Sequence, residues 1–415
     1  MTTSTGRAAL SAGSSGRSVS LRVAVVGGSI GGLTAALLLR DLGCDVHVHE
    51  RSHAELDARG AGIAVLDATV RYFRERGGVD PDGFCSRTSA IRYLWPDGSC
   101  RHRIDHAYRF SSWNAIYREL LALLDADRYH LGREMTAFTT DDDGARVAFA
   151  DGSTEDVDLL VAADGINSIT RERLFPAATS RYAGYVAYRG TLAEGELTDA
   201  AFAELRDAIT YQVITDSHVL VYPIPGPGGT TVPGERLANF VWYRNVADGE
   251  PLDRLLAGRD GAERRVSVPP GMLTDEAVDE FRGTARRELA PPIAEVVAGA
   301  EQPFVQAVYD IEVPAMTSGR VAVLGDAAFA VRPHAAAGTA KAADDAWALV
   351  DALHDHGVAD GGEVTAALAA WERGRLAVGR RLLERCRDIG RRSQVDNTWD
   401  PADPTLIFGL HGPGR

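Results

Sequence analysis

The chain has 415 residues, with 44 Lys and Arg against 58 Asp and Glu, which gives a formal net charge of −14. This length allows two or three domains with hydrophobic cores. The negative charge argues against nucleic acid and anionic membrane surfaces as partners, because both favour basic faces. The four cysteines are widely spaced and form no CxxC pair. We therefore expect no disulfide framework and no metal site.

Residues 1–20 are rich in Ser, Thr, Gly and Ala and lack the apolar segment of a signal peptide. They are predicted to form a disordered tail. No apolar run approaches the roughly 18–20 residues that span a bilayer. A soluble, cytoplasmic protein is expected.

A nucleotide-binding fingerprint begins the folded part of the chain. Residues 21–26 read as a buried strand, residues 33–42 have helical spacing, and residues 45–50 read as a second strand. Between strand and helix, the run GGSIGG provides Gly27, Ile30 and Gly32, with Ser29 at the second position of the GxGxxG pattern. Such a turn lets a helix N-terminus approach a pyrophosphate. A tight turn without a ligand is the alternative.

Glu50 stands about 20 residues after the glycines, at the end of the second strand, where an acid accepts hydrogen bonds from ribose hydroxyls. A solvated carboxylate is the alternative. Arg51 beside it is a further candidate for cofactor contact.

Two later strands each end at a corner of glycine and acid. Asp164-Gly165 follows residues 159–163, with Arg171 shortly after, and Gly325-Asp326 follows residues 321–324. Either acid could serve only as a helix cap. The second corner lies about 300 residues after the fingerprint, which suggests a cofactor held at two distant places. FAD fits better than NAD because its isoalloxazine extends well beyond the adenosine.

Strand-like runs separated by turn residues fill the chain from about residue 180 and favour a mostly antiparallel sheet. The predicted class is α/β, a Rossmann-like FAD-binding domain with an inserted antiparallel sheet and C-terminal helices. The predicted divisions are a tail (1–20), an FAD-binding domain in two parts (21–178 and 311–345), a substrate domain (179–310), and C-terminal helices and tail (346–415).

Together these motifs, with Gly60-Ala61-Gly62-Ile63, resemble the class A flavoprotein aromatic hydroxylases, which have the para-hydroxybenzoate hydroxylase-like fold. The resemblance covers residues 21–390. It is strongest to the branch that hydroxylates dihydroxypyridines, through YAGY (182–185), YPIPG (222–226), RPHAAAG (332–338) and FGL (408–410).

The resemblance implies bound FAD, NADH or NADPH as transient reductant, and O2. The substrate would be a small electron-rich ring such as 2,6-dihydroxypyridine or a related hydroxypyridine or phenol. A homodimer is compatible with it. The cofactor contacts that it implies are Glu50 at the adenosine ribose, Asp326 at the ribityl chain, Gly338 and Thr339 at the flavin ring, Gly62 nearby, and Asp164 and Arg171 in a strip shared with the reductant.

The arginine that meets the pyrophosphate in many members is replaced here by Tyr117, with Arg118 next to it. Which of the two takes over that contact is left open.

His334 is the preferred catalytic base, because it follows Pro333 in the segment implied to pass the flavin and histidine titrates near neutral pH. A structural histidine is the alternative. The predicted substrate contacts are Arg189, Tyr211, Tyr222, Trp242 and Pro333. Two alternative functions remain: a flavin-dependent oxidoreductase of the same superfamily that inserts no oxygen, and a hydroxylase that tailors a natural product.

Overall fold

The computed structural model describes residues 20–56, 62–358 and 362–415. Residues 1–19 of the predicted tail, and Gly60 and Ala61 of the Gly60–Ile63 motif, lie outside the described residues. No helix in the described ranges is long and apolar enough to cross a membrane.

The strands of these ranges, in chain order, are β1 (Arg22–Val26), β2 (Asp45–His49), β3 (Gly62–Ala64), β4 (Ser86–Leu94), β5 (Cys100–Ser112), β6 (Tyr129–His130), β7 (Met135–Thr140), β8 (Ala145–Phe149), β9 (Thr154–Val157), β10 (Leu159–Ala162), β11 (Arg181–Ala193), β12 (Ala208–Ile214), β13 (Ser217–Ile224), β14 (Leu237–Asn245), β15 (Ser267–Val268), β16 (Phe304–Asp310), β17 (Thr317–Ser318) and β18 (Val321–Val323). The α-helices are α1 (Ile30–Asp41), α2 (Asp67–Tyr72), α3 (Trp113–Ala122), α4 (Ile169–Leu174), α5 (Asp199–Leu205), α6 (Glu250–Ala257), α7 (Asp275–Glu288), α8 (Pro291–Gly299), α9 (Gly338–Asp355) and α10 (Val364–Gln394).

A six-stranded sheet has the order β17-β18-β10-β1-β2-β6, with parallel pairing from β18 through β6. Its central strands are buried on both faces, which explains their unbroken apolar runs. The carboxyl ends of β1, β2, β10 and β18 carry Gly27, Glu50, Asp164 and Gly325. In parallel sheets ligands bind at this edge. The predicted α/β class is confirmed.

A nine-stranded, mostly antiparallel sheet has the order β15-β16-β11-β14-β13-β12-β4-β5-β3. Along β14, Phe240 and Trp242 pack on one face with α7 and α8, while Val241 and Tyr243 lie on the other. This alternation follows from the two-residue repeat of a strand. Only one face of the sheet therefore reaches the site described below.

Strands β3 to β5 were not predicted, and they join this sheet from residues 62–112, before the predicted insert. The stretch from Cys100 to His106 in β5 is polar and mostly exposed, so it lacks the apolar alternation that marks a half-buried strand. The domain boundary at residue 178 stays a prediction, although residues before it contribute strands to both large sheets.

Helices α9 and α10 pack on each other and, for α9, on α1. Residues 397–415, in the predicted C-terminal tail, contain a single short helical turn, Pro404–Leu406. They nevertheless bury Trp399, Phe408 and Leu410.

Gly32 should be intolerant of substitution, because a Cβ there would stand 1.9 Å from the Gly27 carbonyl oxygen. We expect Gly32→Ala to lower the free energy of unfolding by about 1–3 kcal/mol or more, since backbone must move. Gly83→Ala, where a Cβ meets nothing within 4 Å, is the matched control and should stay within about 0.5 kcal/mol. Urea denaturation measures both. Equal effects would contradict the packing role of Gly32.

Candidate active site

A cavity of about 330 Å³ lies where the carboxyl ends of the parallel strands meet one face of the nine-stranded sheet. It brings together many residues that were predicted from the sequence. These are Ser29, Ile30, Gly62, Arg189, Tyr222, Gly325, Asp326, Pro333, Gly338 and Thr339.

A second groove, of about 210 Å³, runs from this cavity over the turn between β1 and α1. Its lining includes Gly27, Glu50, Arg51 and Asp164. Ser29, Ala163 and Gly165 line both spaces, so the two form one elongated site. A dinucleotide with an extended ring system requires this shape.

The fingerprint turn is formed by close backbone packing. Gly27 has a φ of 101°, and a Cβ there would stand 2.2 Å from the Ala163 carbonyl oxygen. Ser29 is the N-cap residue of α1, yet its side chain makes no capping hydrogen bond. The first-turn amides of α1 therefore remain available to an anion.

Glu50 is only 6% exposed, and its carboxylate shapes the fingerprint turn as well as facing the groove. Oε2 accepts from the Gly28 amide at 2.9 Å, and Oε1 accepts from the Ser52 amide at 2.9 Å. Each carboxylate oxygen has a further lone pair for a ligand hydroxyl. The solvated-carboxylate alternative is wrong.

Tyr117 is buried, and its hydroxyl lies 3.2 Å from that of Tyr129, which donates to the Gly28 carbonyl at 3.0 Å. Arg118 is exposed on the outer side of α3. Neither Tyr117 nor Arg118 lines the elongated site. Tyr117 reaches the fingerprint through Tyr129.

Asp326 lies in the turn after β18 and lines the cavity, where its side chain is accessible. Desolvation by the surrounding protein raises the pKa of its carboxyl, and Lys341 opposes the rise. Within residues 20–56, 62–358 and 362–415, no group hydrogen-bonds to the carboxylate. It is free to accept from a ligand.

A buried carboxylate behind this turn holds it in place. Asp345 accepts from the Gly325 amide at 3.1 Å, from Lys341 Nζ at 2.6 Å and from Arg375 Nε at 2.7 Å. Lys341 Nζ also donates to the Gly325 carbonyl at 3.2 Å. The cations lower the pKa of Asp345 against the opposing effect of burial. Sequence reasoning missed this network.

Asp164 Oδ2 accepts from the amide and the hydroxyl of Thr170, while Oδ1 is buried without a protein partner. Burial raises the pKa of this carboxyl. Arg171 points elsewhere: its guanidinium donates to the carbonyls of Ala327 and Ile166, and it lines neither part of the elongated site. The prediction of Arg171 as a direct cofactor contact is thus corrected to a structural link between two loops.

Arg189, on β11, places a cation in the main cavity. Its Nε is buried without a hydrogen-bond partner, and no carboxylate in the described part of the chain forms an ion pair with it. The hydroxyl of Tyr222, by contrast, is engaged within the protein, because it donates a hydrogen bond to the Gly62 carbonyl at 2.7 Å. Asn239 accepts from the Gly62 amide at 2.9 Å, so the sheet fixes the Gly62 loop from both sides.

Two predicted substrate contacts lie outside the cavity. Trp242 packs on the opposite face of the sheet, where its indole N–H donates to Ser217 Oγ and its ring lies 5.6 Å from that of Phe281. Strand alternation dictates this, and the prediction is wrong. Tyr211 is on the cavity face but stacks on Tyr93, 5.0 Å between ring centroids, and does not line the cavity.

His334 is 5% exposed and lies behind the cavity wall. Its Nε2 is 2.7 Å from the Tyr185 hydroxyl, and its ring lies 4.7 Å from that of Tyr243, which does line the cavity. Burial, with His218 and Arg332 nearby, holds the pKa of His334 well below its usual value. The structure does not favour its predicted role as a base in contact with substrate.

Several cavity residues were missed by sequence reasoning, namely Phe110, Trp113, Leu220, Val241, Tyr243 and Phe408. Alternation relative to Tyr222 would have indicated Leu220, its neighbour two residues away on β13. Phe408 belongs to the FGL motif (408–410) of the family resemblance, but irregular chain has no periodicity that would have assigned its side chain to the cavity wall.

The buried histidines make stability depend on pH. Burial lowers the pKa of His218 to about 3, so below the unfolded value near 6.5 only the unfolded chain takes up this proton. The free energy of unfolding should fall by about 1.4 kcal/mol per pH unit from this group as pH drops below 6.5.

We expect His218→Gln to reduce the loss of stability between pH 6.5 and 4.5 relative to the parent, measured by urea unfolding. His354→Gln, with 76% of its side chain exposed, is the control and should leave the slope unchanged. A His218→Gln slope equal to the parent's would contradict a neutral, buried His218.

Comparisons with known proteins agree with this geometry. Residues 182–310 match the family model described as FAD binding domain-like. The chain is 37% identical over 395 residues to 2,6-dihydroxypyridine 3-monooxygenase of Paenarthrobacter nicotinovorans, with 94% of this chain and 96% of that protein covered. It is 28% identical to 6-hydroxynicotinate 3-monooxygenase of Bordetella bronchiseptica, with 94% of each covered.

Among solved structures, that of 2,6-dihydroxypyridine-3-hydroxylase from Arthrobacter nicotinovorans superposes with a TM-score of 0.88 at 36% identity, covering 94% of this chain and 97% of that one. The resemblance to class A flavoprotein hydroxylases is confirmed. With identity of this level over nearly all of both chains, the protein belongs to the family of FAD-dependent aromatic-ring monooxygenases.

Proposed function

We propose that this monooxygenase hydroxylates a single aromatic ring of the hydroxypyridine class and binds it as an anion beside Arg189. The observation that carries the proposal is the guanidinium of Arg189, unpaired within the described chain, in a cavity whose other walls are largely apolar and aromatic. The names of the relatives support the substrate class, since one acts on 2,6-dihydroxypyridine and another on 6-hydroxynicotinate.

An anionic substrate suits the groups around it. The titratable side chains on the cavity wall in the described ranges are Arg189, Tyr222, Tyr243 and Asp326. Burial raises the pKa of Tyr222 to about 12, so its hydroxyl does not act as a base near neutral pH. A nearby cation favours the ionised form of a ring hydroxyl. Ionisation in turn raises electron density on the ring, which electrophilic hydroxylation requires.

His334 acts, in this proposal, as a positioning residue. It supports Tyr243 and Tyr185 from behind the cavity, through ring contact with the first and a hydrogen bond to the second. Pro333 precedes it and lines the cavity directly. Substrate activation is assigned to Arg189 instead.

The residues present fit FAD along the elongated site. Glu50 would hold the adenosine ribose, the amides of α1 after Ser29 would face the pyrophosphate, and Asp326 would hold the ribityl chain. Support comes from Asp164 Oδ1, which is buried without a partner, and from the Asp326 carboxylate, which lines the cavity and accepts no hydrogen bond from the described residues. Helices α1 and α9 also begin at the cavity without side-chain caps. FAD there supplies the activation of O2 with electrons from NAD(P)H.

Gly338 and Thr339, at the start of α9, would face the flavin ring, and Gly62 would approach it from the other side. Gly27 and Gly32 contribute through the tight turn, and Arg51 flanks the adenosine end. The choice between NADH and NADPH, the homodimer and the cytoplasmic location stay proposals. Rates with each reductant, gel filtration and cell fractionation test them.

The main test is a screen of hydroxypyridines and phenols for stimulated NAD(P)H oxidation, with mass spectrometry of the products. We expect stimulation by a hydroxypyridine, O2 uptake and a product heavier by one oxygen atom. NAD(P)H oxidation that yields reduced substrate without an added oxygen would instead favour the oxidoreductase alternative.

Asp326 and Glu50 should differ in what they contribute. Asp326→Ala should weaken FAD binding while leaving the stability of the apoprotein unchanged or higher, because the carboxylate is desolvated and accepts no hydrogen bond from the described residues. Glu50→Ala should weaken FAD binding by about 1.5–3 kcal/mol and also destabilise the apoprotein, because the Gly28 and Ser52 amides lose their acceptor.

Flavin fluorescence titration and urea unfolding of the apoprotein measure the two effects. The assignment of Asp326 fails if its variant binds FAD as the parent does. The assignment of Glu50 fails if the apoprotein and its FAD affinity are both unchanged.

Arg189→Met should lower kcat/KM for the hydroxypyridine about 10- to 100-fold, the scale of a lost charge-assisted hydrogen bond. Activity should recover partly as pH rises, because the substrate then ionises in solution. Arg181→Met, at the exposed start of the same strand, is the matched control and should resemble the parent.

His334→Gln should retain FAD, and its kcat/KM for the hydroxypyridine should fall less than that of Arg189→Met. The reverse order, with Arg189→Met near the parent rate at all pH values, would return the role of base to His334.

A further inference from the structure

The chain segment 399–410, here called the strap, forms part of the cavity although it has almost no regular structure. Trp399, Leu406 and Phe408 pack into the core on the cavity face of the nine-stranded sheet, and Leu410 packs near Ala335 and Ala337. Of these four side chains, only Phe408 lines the cavity.

Phe408 completes a row of aromatic rings on the cavity wall. Its ring lies 4.9 Å from that of Tyr108, Tyr108 lies 6.0 Å from Phe110, and Phe110 stacks on Tyr222 at 4.3 Å. Phe408, Phe110 and Tyr222 all line the cavity. The Phe408 amide also donates to the Tyr108 hydroxyl at 2.9 Å, so both backbone and side chain are fixed.

Arg385, on α10, holds the strap by its backbone. Its guanidinium donates to the carbonyls of Ile407 and Gly409, which flank Phe408, and to that of Thr405, three residues before it. No carboxylate of the described residues pairs with it, and burial lowers its pKa. Three strap carbonyls are thus the hydrogen-bond acceptors of this partly buried cation among the described residues, while its Nε is buried without one.

The strap also contacts the segment that passes the flavin-binding end of the cavity. The Gly409 amide donates to the Ala335 carbonyl at 3.2 Å, and Ala336 next to it lines the cavity with a φ of 53°. Displacement of the strap would therefore alter the wall at two places.

We propose that Phe408 is a specificity-determining contact for the substrate ring and that Arg385 is the positioning residue that holds it there. This inference rests on the proposed function, because it takes a flat single-ring aromatic as the substrate. A flat ring in the cavity has the aromatic row as a stacking surface, and Phe408 sets how large that ring can be.

The test compares 2,6-dihydroxypyridine with its benzo-fused analogue, 1,3-dihydroxyisoquinoline. For each ring we would measure kcat/KM, the peroxide released per NAD(P)H consumed, and Kd from the change in flavin absorption. Phe408→Ala should raise the ratio of kcat/KM for the larger ring to that for the smaller by about tenfold or more, since a methylene already changes selectivity 10- to 200-fold. The Kd ratio should shift in the same direction.

Leu406→Ala is the matched control, because Leu406 is in the same strap and 7% exposed against 6% for Phe408, yet does not line the cavity. Its size selectivity should stay within about twofold of the parent's. Arg385→Met should release more peroxide and raise KM for the smaller ring. Arg392→Met removes contacts to the strap only at Asp403 and Thr405. It should change neither the peroxide released nor KM for the smaller ring.

Unchanged selectivity in folded, FAD-loaded Phe408→Ala would overturn the proposal, as would an equal shift in Leu406→Ala. If the parent hydroxylates neither ring, the proposed function fails on its own. The Kd ratios of the two rings then still decide whether Phe408 limits ring size.

Discussion

The carboxylate of Asp345 is the contact on which the geometry of the site depends. It joins three separate elements, because it accepts hydrogen bonds from the turn after β18, from α9 and from α10. A buried carboxylate is costly unless its lone pairs are satisfied, and here two cations and an amide satisfy them. The same turn presents Asp326 to the cavity. The hydrogen bonds of Asp345 behind the turn therefore hold Asp326 in place for a ligand in front of it.

The charged groups that hold the elements together are therefore distinct from the charged groups that face the ligand space. Away from the ligand space, Asp345 pairs with Lys341 and Arg375, and Arg375 also pairs with Asp344, so two carboxylates balance two cations. Asp164 Oδ1 and Arg189 Nε are buried without a hydrogen-bond partner beside the ligand space, and the Asp326 carboxylate lines it. Protein interiors normally pair their polar groups, so buried groups left unpaired at one place mark where a ligand is expected.

The parallel sheet and its loops were predictable because their signals are local. A glycine run after an apolar strand, or an acid at a strand end, needs only neighbouring residues to be recognised, and Gly27, Glu50, Asp164 and Asp326 all lie along the elongated site. The nine-stranded sheet was predicted in part. The polar residues of β5 gave no sign of a strand. Which face of the sheet a residue occupies depends on the register of its strand, and the register places Trp242 on the face away from the cavity.

Placement of His334 failed for a related reason. Its neighbours in sequence, Pro333 and Ala336, line the cavity, but a short helical turn at Pro333–Ala335 directs the imidazole backward to Tyr185. Adjacency along the chain does not fix side-chain direction in irregular structure. The buried network around Asp345 was equally hidden, since ion pairs among α9, α10 and a distant turn leave no pattern in sequence.

The hydrogen bond between the Phe408 amide and the Tyr108 hydroxyl joins residues 300 positions apart. During synthesis, every other cavity residue leaves the ribosome before the strap does. The nascent chain can thus form both sheets while the pocket still lacks one wall, and aromatic surface around Tyr108 stays exposed until translation passes residue 408. The aromatic wall of the cavity is thus assembled from two segments that are synthesised far apart in time.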